Sequence, residues 1–279
     1  MLDRVTITGA DDSTDPLEML DLALAYPWLE FGILVSASRE GSPRYSSRSW
    51  QQTLLKSAHR MNLSMHVCGK WAREIFVGAV AWGDLPPIKT EVERIQINGN
   101  PSDITYPAFP PIANGIQLIV QYPRALKYLT ACQEQHLNCV PLFDESGGEG
   151  RIWREWTDLP LDYVGYAGGI GPDNVADAVK QVSEMRSGPF WIDMEGRVRD
   201  EKDRLDMHKV GRVLDICEGI FNRPAFDEML ASAERKLIVA EMERRDRERG
   251  IITPKEPPHC YYCFEGCPRC QPTGPLVRH

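Results

Sequence analysis

YVGYAGGIGPDNVADAV, residues 163–179, joins a short apolar run, two adjacent glycines and an amphipathic stretch without a break. Val175, Ala178, Val179 and Val182 recur at helical spacing and give the amphipathic stretch a single apolar face. The unit is therefore a strand, a tight loop and a helix. At the loop, Gly168-Gly169-Ile170-Gly171 admits no side chain at three of four positions. Backbone N–H groups and the dipole of the following helix can face an anion there, and a phosphate group is the natural candidate. A plain tight turn accounts for the same glycines, so the motif alone leaves both readings open.

Working outward, the same unit repeats. Apolar or β-branched runs stand at 4–8, 30–36, 63–69, 93–99, 115–121, 139–144, 163–169 and 190–194. Helical patterns follow at 15–24, 50–59, 71–80, 125–135, 175–182 and 207–221. Asp15 caps the first of these, Pro16 suits its first turn, Glu18 can complete a capping box, and Leu17, Leu20 and Leu24 form the expected apolar stripe. The segment 100–112 carries four prolines and reads as a loop rather than a helix. A doubly wound open sheet also alternates in this way, but a count of eight strands favours a (β/α)8 TIM barrel over 1–221, in the α/β class.

The 279 residues carry a net charge of −8, which argues against binding nucleic acid over the whole surface. No apolar run is long enough to cross a bilayer, the first residues lack a signal-peptide pattern, and no membrane partner is expected. Cys68, Cys132, Cys139 and Cys217 are scattered, as in a reduced, cytoplasmic protein.

After Asn222-Arg223-Pro224 the pattern changes. Residues 222–250 read as a C-terminal extension helix ending in the mixed-charge run EMERRDRERG, and 251–279 as a small proline-rich tail. Within that tail, HCYYCFEGCPRC places Cys260, Cys263, Cys267 and Cys270 in two CxxC pairs. Four thiolates so spaced suit a closed, structural zinc site. Tyr261, Tyr262, Phe264 and Arg269 beside them can stack on a base or pack on a protein, so the tail is expected to engage a protein or nucleic-acid partner. No organic cofactor is expected.

In a TIM barrel the chemistry lies at the C-terminal ends of the strands. Those ends carry Thr8 and Asp11 after strand one, Arg44 after strand two, His66 and Cys68 on strand three, and Gln96 and Asn98 on strand four. Asp144 closes strand six ahead of a loop containing Gly148. Gly168 and Gly169 close strand seven, and Asp193 with Gly196 and Arg197 closes strand eight. The loops after strands seven and eight are the usual phosphate site of the fold, to which Arg197 can add charge. Asp144 suits a general acid or a loop cap, and Arg44 suits an anion clamp or a surface ion pair. His66 and Cys68 share one face, either lining the interior as chemistry or filling a core layer.

Taken in order, these residues resemble the phosphoribosylanthranilate isomerases of tryptophan biosynthesis over about 5–221. The likeness rests on ITGADD (7–12), FGILVS followed by SPRY (31–36 and 42–45), IQING (95–99), LFDESGGEGRIW (142–153), AGGIGPDNVADAV (167–179) and WIDMEGRVRD (191–200). The resemblance implies an isomerase-like enzyme acting on a phosphorylated sugar or ribosyl phosphate. Asp144 would be its general acid, Arg44 a contact to an acidic group of the substrate, and Gly168, Gly169 and the backbone near Gly196 the phosphate holders. Three positions depart from the family pattern. Thr8 replaces the cysteine base, Asn98 replaces a histidine, and Glu195-Gly196 replace paired serines. With no cysteine, His66 is the expected substitute base because an ordinary imidazole titrates near neutrality, and Asp11 is the alternative. The altered base also leaves room for a non-catalytic barrel that binds a phosphorylated ligand and recruits a partner through its tail.

Overall fold

The computed structural model describes residues 1–79, 82–99, 116–144 and 156–221. Within them, eight parallel strands close into a barrel in chain order. They are β1 (Leu2–Thr8), β2 (Leu29–Ser36), β3 (Asn62–Cys68), β4 (Arg94–Asn98), β5 (Gln117–Tyr122), β6 (Cys139–Phe143), β7 (Val164–Tyr166) and β8 (Phe190–Met194). Pairing of β1 with β8, Val5 against Ile192 and Thr6 against Asp193, shuts the cylinder. The helices are α1 (Pro16–Ala25), α2 (Arg48–Leu54), α3 (Gly69–Phe76), α4 (Leu126–Glu134), α5 (Val175–Met185) and α6 (Met207–Ile220). The expected barrel is thus the observed one. The segment 100–112, Gly148, the extension helix and the four-cysteine tail lie outside the described residues. No described helix is long and apolar enough to cross a membrane.

Local chemistry explains the element ends. Asp15 caps α1 by accepting the Leu17 N–H at 2.9 Å. Ser47 caps α2 two residues earlier than the sequence pattern suggests, accepting from the Trp50 N–H at 3.2 Å. α3 ends at Phe76 rather than near residue 80, with Gly78 at φ +67 just beyond it. Leu17, expected in the apolar stripe of α1, is 60% exposed. The buried face is instead Met19, Leu20, Leu22 and Ala23. At 100° per residue Leu17 falls opposite that face, so the i, i+3, i+7 pattern takes one residue from the wrong side.

Helices and strands bury the apolar side chains between them. The inside of the barrel is filled differently, by alternate strand residues. Low in the barrel, Glu30 is fully buried and accepts from Thr6 Oγ1 at 2.9 Å, Arg4 Nη1 at 2.7 Å and Arg94 Nη1 at 3.1 Å. The Arg94 guanidinium lies 4.3 Å from the ring centroid of buried Trp191. Trp191 fits because its neighbour across the β7–β8 ladder is Gly165, where a Cβ would overlap the six-membered ring of the indole. Gly165→Ala is therefore expected to destabilise the barrel by about 1–3 kcal/mol, as overpacking does. Urea unfolding followed by far-UV circular dichroism checks it.

Candidate active site

Strand alternation aims Thr8, His66, Gln96, Gln121, Leu142, Asp144 and Asp193 toward the axis at the C-terminal mouth. They line one cavity of about 150 Å³ together with Gly168, Gly169, Ile170, Glu195, Gly196 and Arg197. A neighbouring cavity of about 460 Å³ shares Arg44, Asn98, Gln121 and Glu195 with it, and adds Arg39, Tyr45, Cys68 and Arg124. The mouth thus brings together Thr8, Arg44, His66, Gln96, Asn98, Asp144, Gly168, Gly169, Asp193, Gly196 and Arg197 of the residues expected from sequence. Asp11 is not among the lining residues.

Asp193 has the most unusual environment in this group. It is buried at the end of β8 and accepts from Thr8 Oγ1 at 2.9 Å. Burial raises its pKa to about 8. The Thr8 hydrogen bond opposes that rise, and the charges of Glu195, Glu30 and Asp144 add to it. Thr8 therefore positions a buried carboxyl group whose pKa is raised to about 8. Gly32 makes this arrangement possible: a Cβ there would come within 2.5 Å of Thr8 Oγ1 and 2.7 Å of the His66 ring. Across the mouth, Asp144 Oδ2 accepts from Gln121 Nε2 at 3.3 Å.

His66 does lie in the interior, with Nε2 3.1 Å from Ser64 Oγ. Burial lowers its pKa to about 4, with the Glu30 charge opposing and the Arg94 charge reinforcing the fall. The imidazole is neutral at pH 7, and the premise that it titrates near neutrality does not hold here. Its Nδ1 and Gln96 Oε1 have no hydrogen-bond partner among the described residues, although both are buried and both residues line the cavity. Such groups cost about 1–3 kcal/mol when unmet, which a hydroxyl-rich ligand would relieve. Gln96 Nε2 donates to Asn98 Oδ1 at 2.8 Å, and Asn98 Nδ2 donates to Cys68 Sγ at 3.4 Å.

Asp11 and Arg44 are committed elsewhere. Asp11 Oδ1 accepts from the N–H and hydroxyl of Ser13 at 2.9 and 2.6 Å. Its Oδ2 accepts from the Arg44 N–H at 2.7 Å and Arg199 Nη2 at 3.3 Å. This network leaves Asp11 as a loop fastener. Arg44 sits at φ +73, a strained region for a side-chain-bearing residue, and the Asp11 contact holds it there. Its Nε and Nη2 donate to Asp203 at 2.8–3.0 Å, and its Nη1 donates to Glu195 at 2.7 Å. Buried Arg199 completes the assembly by donating to the Gly9 carbonyl at 2.7 Å and to Asp203. Asp203 and Arg199 escape a reading of the sequence because RVRDEKDRLD (197–206) has the pattern of a solvated charge run.

In the candidate phosphate loop, Gly168 has φ +118 and Gly169 φ +63, so both need the glycine freedom read from the sequence. Asn174 braces the loop, donating to the Gly169 carbonyl at 3.0 Å and accepting from the Gly171 N–H at 2.8 Å. Gly171 lies against Arg197, whose Cβ would be 2.5 Å from a Cβ at that glycine. The loops after β7 and β8 are thereby packed together.

The sequence model of the family described as N-(5'phosphoribosyl)anthranilate (PRA) isomerase matches residues 88–215, from ahead of β4 into α6. Over those residues the chain is similar to the PRA isomerases, and its fold is a closed eight-stranded barrel. Similar solved structures include TrpF from Jonesia denitrificans, at 17% identity over 78% of this chain and 97% of that one, with a TM-score of 0.47. Phosphoribosyl anthranilate isomerase from Thermus thermophilus gives 13%, 78%, 99% and 0.49. N-(5'-phosphoribosyl)anthranilate isomerase from Pyrococcus furiosus gives 15%, 77%, 98% and 0.46. No curated protein matches the chain. Among the described residues, no three His, Cys, Asp or Glu side chains are grouped to hold a metal ion. Cys260, Cys263, Cys267 and Cys270 lie outside those residues.

Proposed function

We propose that the barrel mouth binds a phosphorylated sugar of the ribosylamine phosphate type and isomerises it by acid/base chemistry. The observation that carries this reading is the pairing of two buried carboxyl groups, Asp144 and Asp193, in one cavity with the glycine loops after β7 and β8. The backbone at Gly168, Gly169 and Gly196, with Arg197, is assigned to the phosphate. Asp144 is assigned as general acid. It gives its proton to the ring oxygen as the bond from C1 to that oxygen breaks, and the nitrogen lone pair forms C1=N. Asp193 is assigned as base in place of the missing cysteine. It takes the C2 proton, the C–H electrons form C1=C2, and the C=N electrons return to nitrogen. The enol hydroxyl then loses its proton and C1 gains one, leaving a ketone at C2. His66 and Gln96 meet sugar hydroxyls rather than moving protons.

Thr8 at the base position and the doubly paired Arg44 favour a second reading, a non-catalytic barrel that binds the same ligand and engages a protein or nucleic acid through its tail. Two measurements decide. Calorimetric titration with ribose 5-phosphate is expected to show saturable binding that inorganic phosphate competes away. An N-aryl ribosylamine 5-phosphate, formed in D2O from ribose 5-phosphate and an arylamine, is expected to gain deuterium during turnover. Binding without exchange supports the second reading, and no binding overturns both.

A further inference from the structure

We infer that Glu195 is the specificity-determining residue of this site, and that it selects a substrate whose nitrogen-borne group offers a hydrogen-bond donor in place of a carboxylate. The inference rests on the proposed ribosyl phosphate reading. Glu195 lines both the mouth cavity and its larger neighbour, so it stands where a group attached to the sugar would pass from one to the other. Its Oε1 accepts from Arg44 Nη1 at 2.7 Å, and Asp203 takes Nε and Nη2 of the same guanidinium. An incoming carboxylate therefore meets a guanidinium already paired with two carboxylates, and it must either displace one of them or add a third negative charge beside them. Glu195 Oε2 has no hydrogen-bond partner among the described residues, and it offers an acceptor to an amide, amine or hydroxyl donor. Asp203 cannot readily give way, because Arg199 holds it from the other side through both its carboxylate and its carbonyl. Glu195 is the freer partner, and its identity sets the charge that the passage accepts.

The test uses the full-length protein and two stable ribitol 5-phosphate probes made by reducing N-aryl ribosylamine 5-phosphates, one with an ortho-carboxamide and one with an ortho-carboxylate. Wild-type protein is expected to bind the carboxamide probe at least about tenfold more tightly. Glu195→Gln is expected to shrink that ratio at least about tenfold, mainly through tighter binding of the carboxylate probe. The ratio cancels any change in phosphate affinity that the variant brings. A wild type that prefers the carboxylate, or a ratio unmoved in Glu195→Gln, overturns the inference and leaves charge selection to Arg39 and Arg124 in the larger cavity. Ribose 5-phosphate binding in the same titrations separates this failure from a failure of the site reading, since loss of all three ligands overturns both.

Discussion

Asp193→Asn is expected to lower deuterium exchange into an N-aryl ribosylamine 5-phosphate by about 10²–10⁴-fold, the usual worth of a positioned acid or base. The variant is nearly isosteric with the protonated acid that burial favours, and its amide can still meet Thr8 Oγ1. Binding of ribose 5-phosphate is therefore expected to survive. In the wild type, exchange is expected to climb as pH rises toward about 8, because the base works only when ionised and its folded pKa lies near that value. The stability consequence has the opposite sign. A carboxyl group whose pKa is raised on folding binds its proton more tightly in the folded state, so folded stability falls as pH climbs from the ordinary carboxylate range to about 8. Asp193→Asn removes that dependence and is expected to gain stability relative to wild type across the same window. Undiminished exchange in the variant would exclude Asp193 as the base. Thermal unfolding between pH 5 and 9 checks the stability arm.

Glu30→Gln is expected to destabilise the fold by about 3–5 kcal/mol, the cost of removing one partner from a buried ion pair. Arg94, with a side chain only 4% exposed, loses its carboxylate, and half-buried Arg4 loses the same partner. Burial by itself would raise the Glu30 pKa, but Arg94 and Arg4 outweigh it and hold the carboxyl below its usual range. The stability Glu30 contributes is therefore present above about pH 4.5 and is lost as acid protonates the folded carboxylate. Urea midpoints at pH 7 should drop in Glu30→Gln, and the difference from wild type should narrow below pH 4. An unchanged midpoint would show that the guanidinium stacked on Trp191 needs no counter-ion.

Both predictions concern groups that the sequence places but does not characterise. Asp193 is legible as a strand-end residue of β8, and its neighbours along the chain, Ile192 and Met194, say nothing of its titration. Its pKa is raised first by burial inside the closed barrel and then by the charges of Glu195, Glu30 and Asp144, against the Thr8 hydrogen bond, and these four residues lie on β1, on β2 and just after β6 and β8. His66 shows the same gap. Its ordinary pKa suggests a base, and desolvation inside the barrel lowers that pKa to about 4, which leaves a neutral ring of weakened basicity. Arg44 reads as an anion clamp because its loop is visible in sequence, whereas its partner Asp203 lies 159 residues away.

By itself the sequence favoured the barrel over an open sheet, because it carries eight apolar runs, six of them followed by helical patterns. It also determined the glycine loop after β7, since Gly168 and Gly169 adopt backbone angles that other residues resist. Tertiary structure alone decided which charged groups meet. Burial and pairing depend on residues far apart in the chain, and strand closure sets their separation. The polar centre of Glu30 and Arg94, the raised pKa of Asp193 and the engagement of Arg44 by Glu195 and Asp203 all arise there.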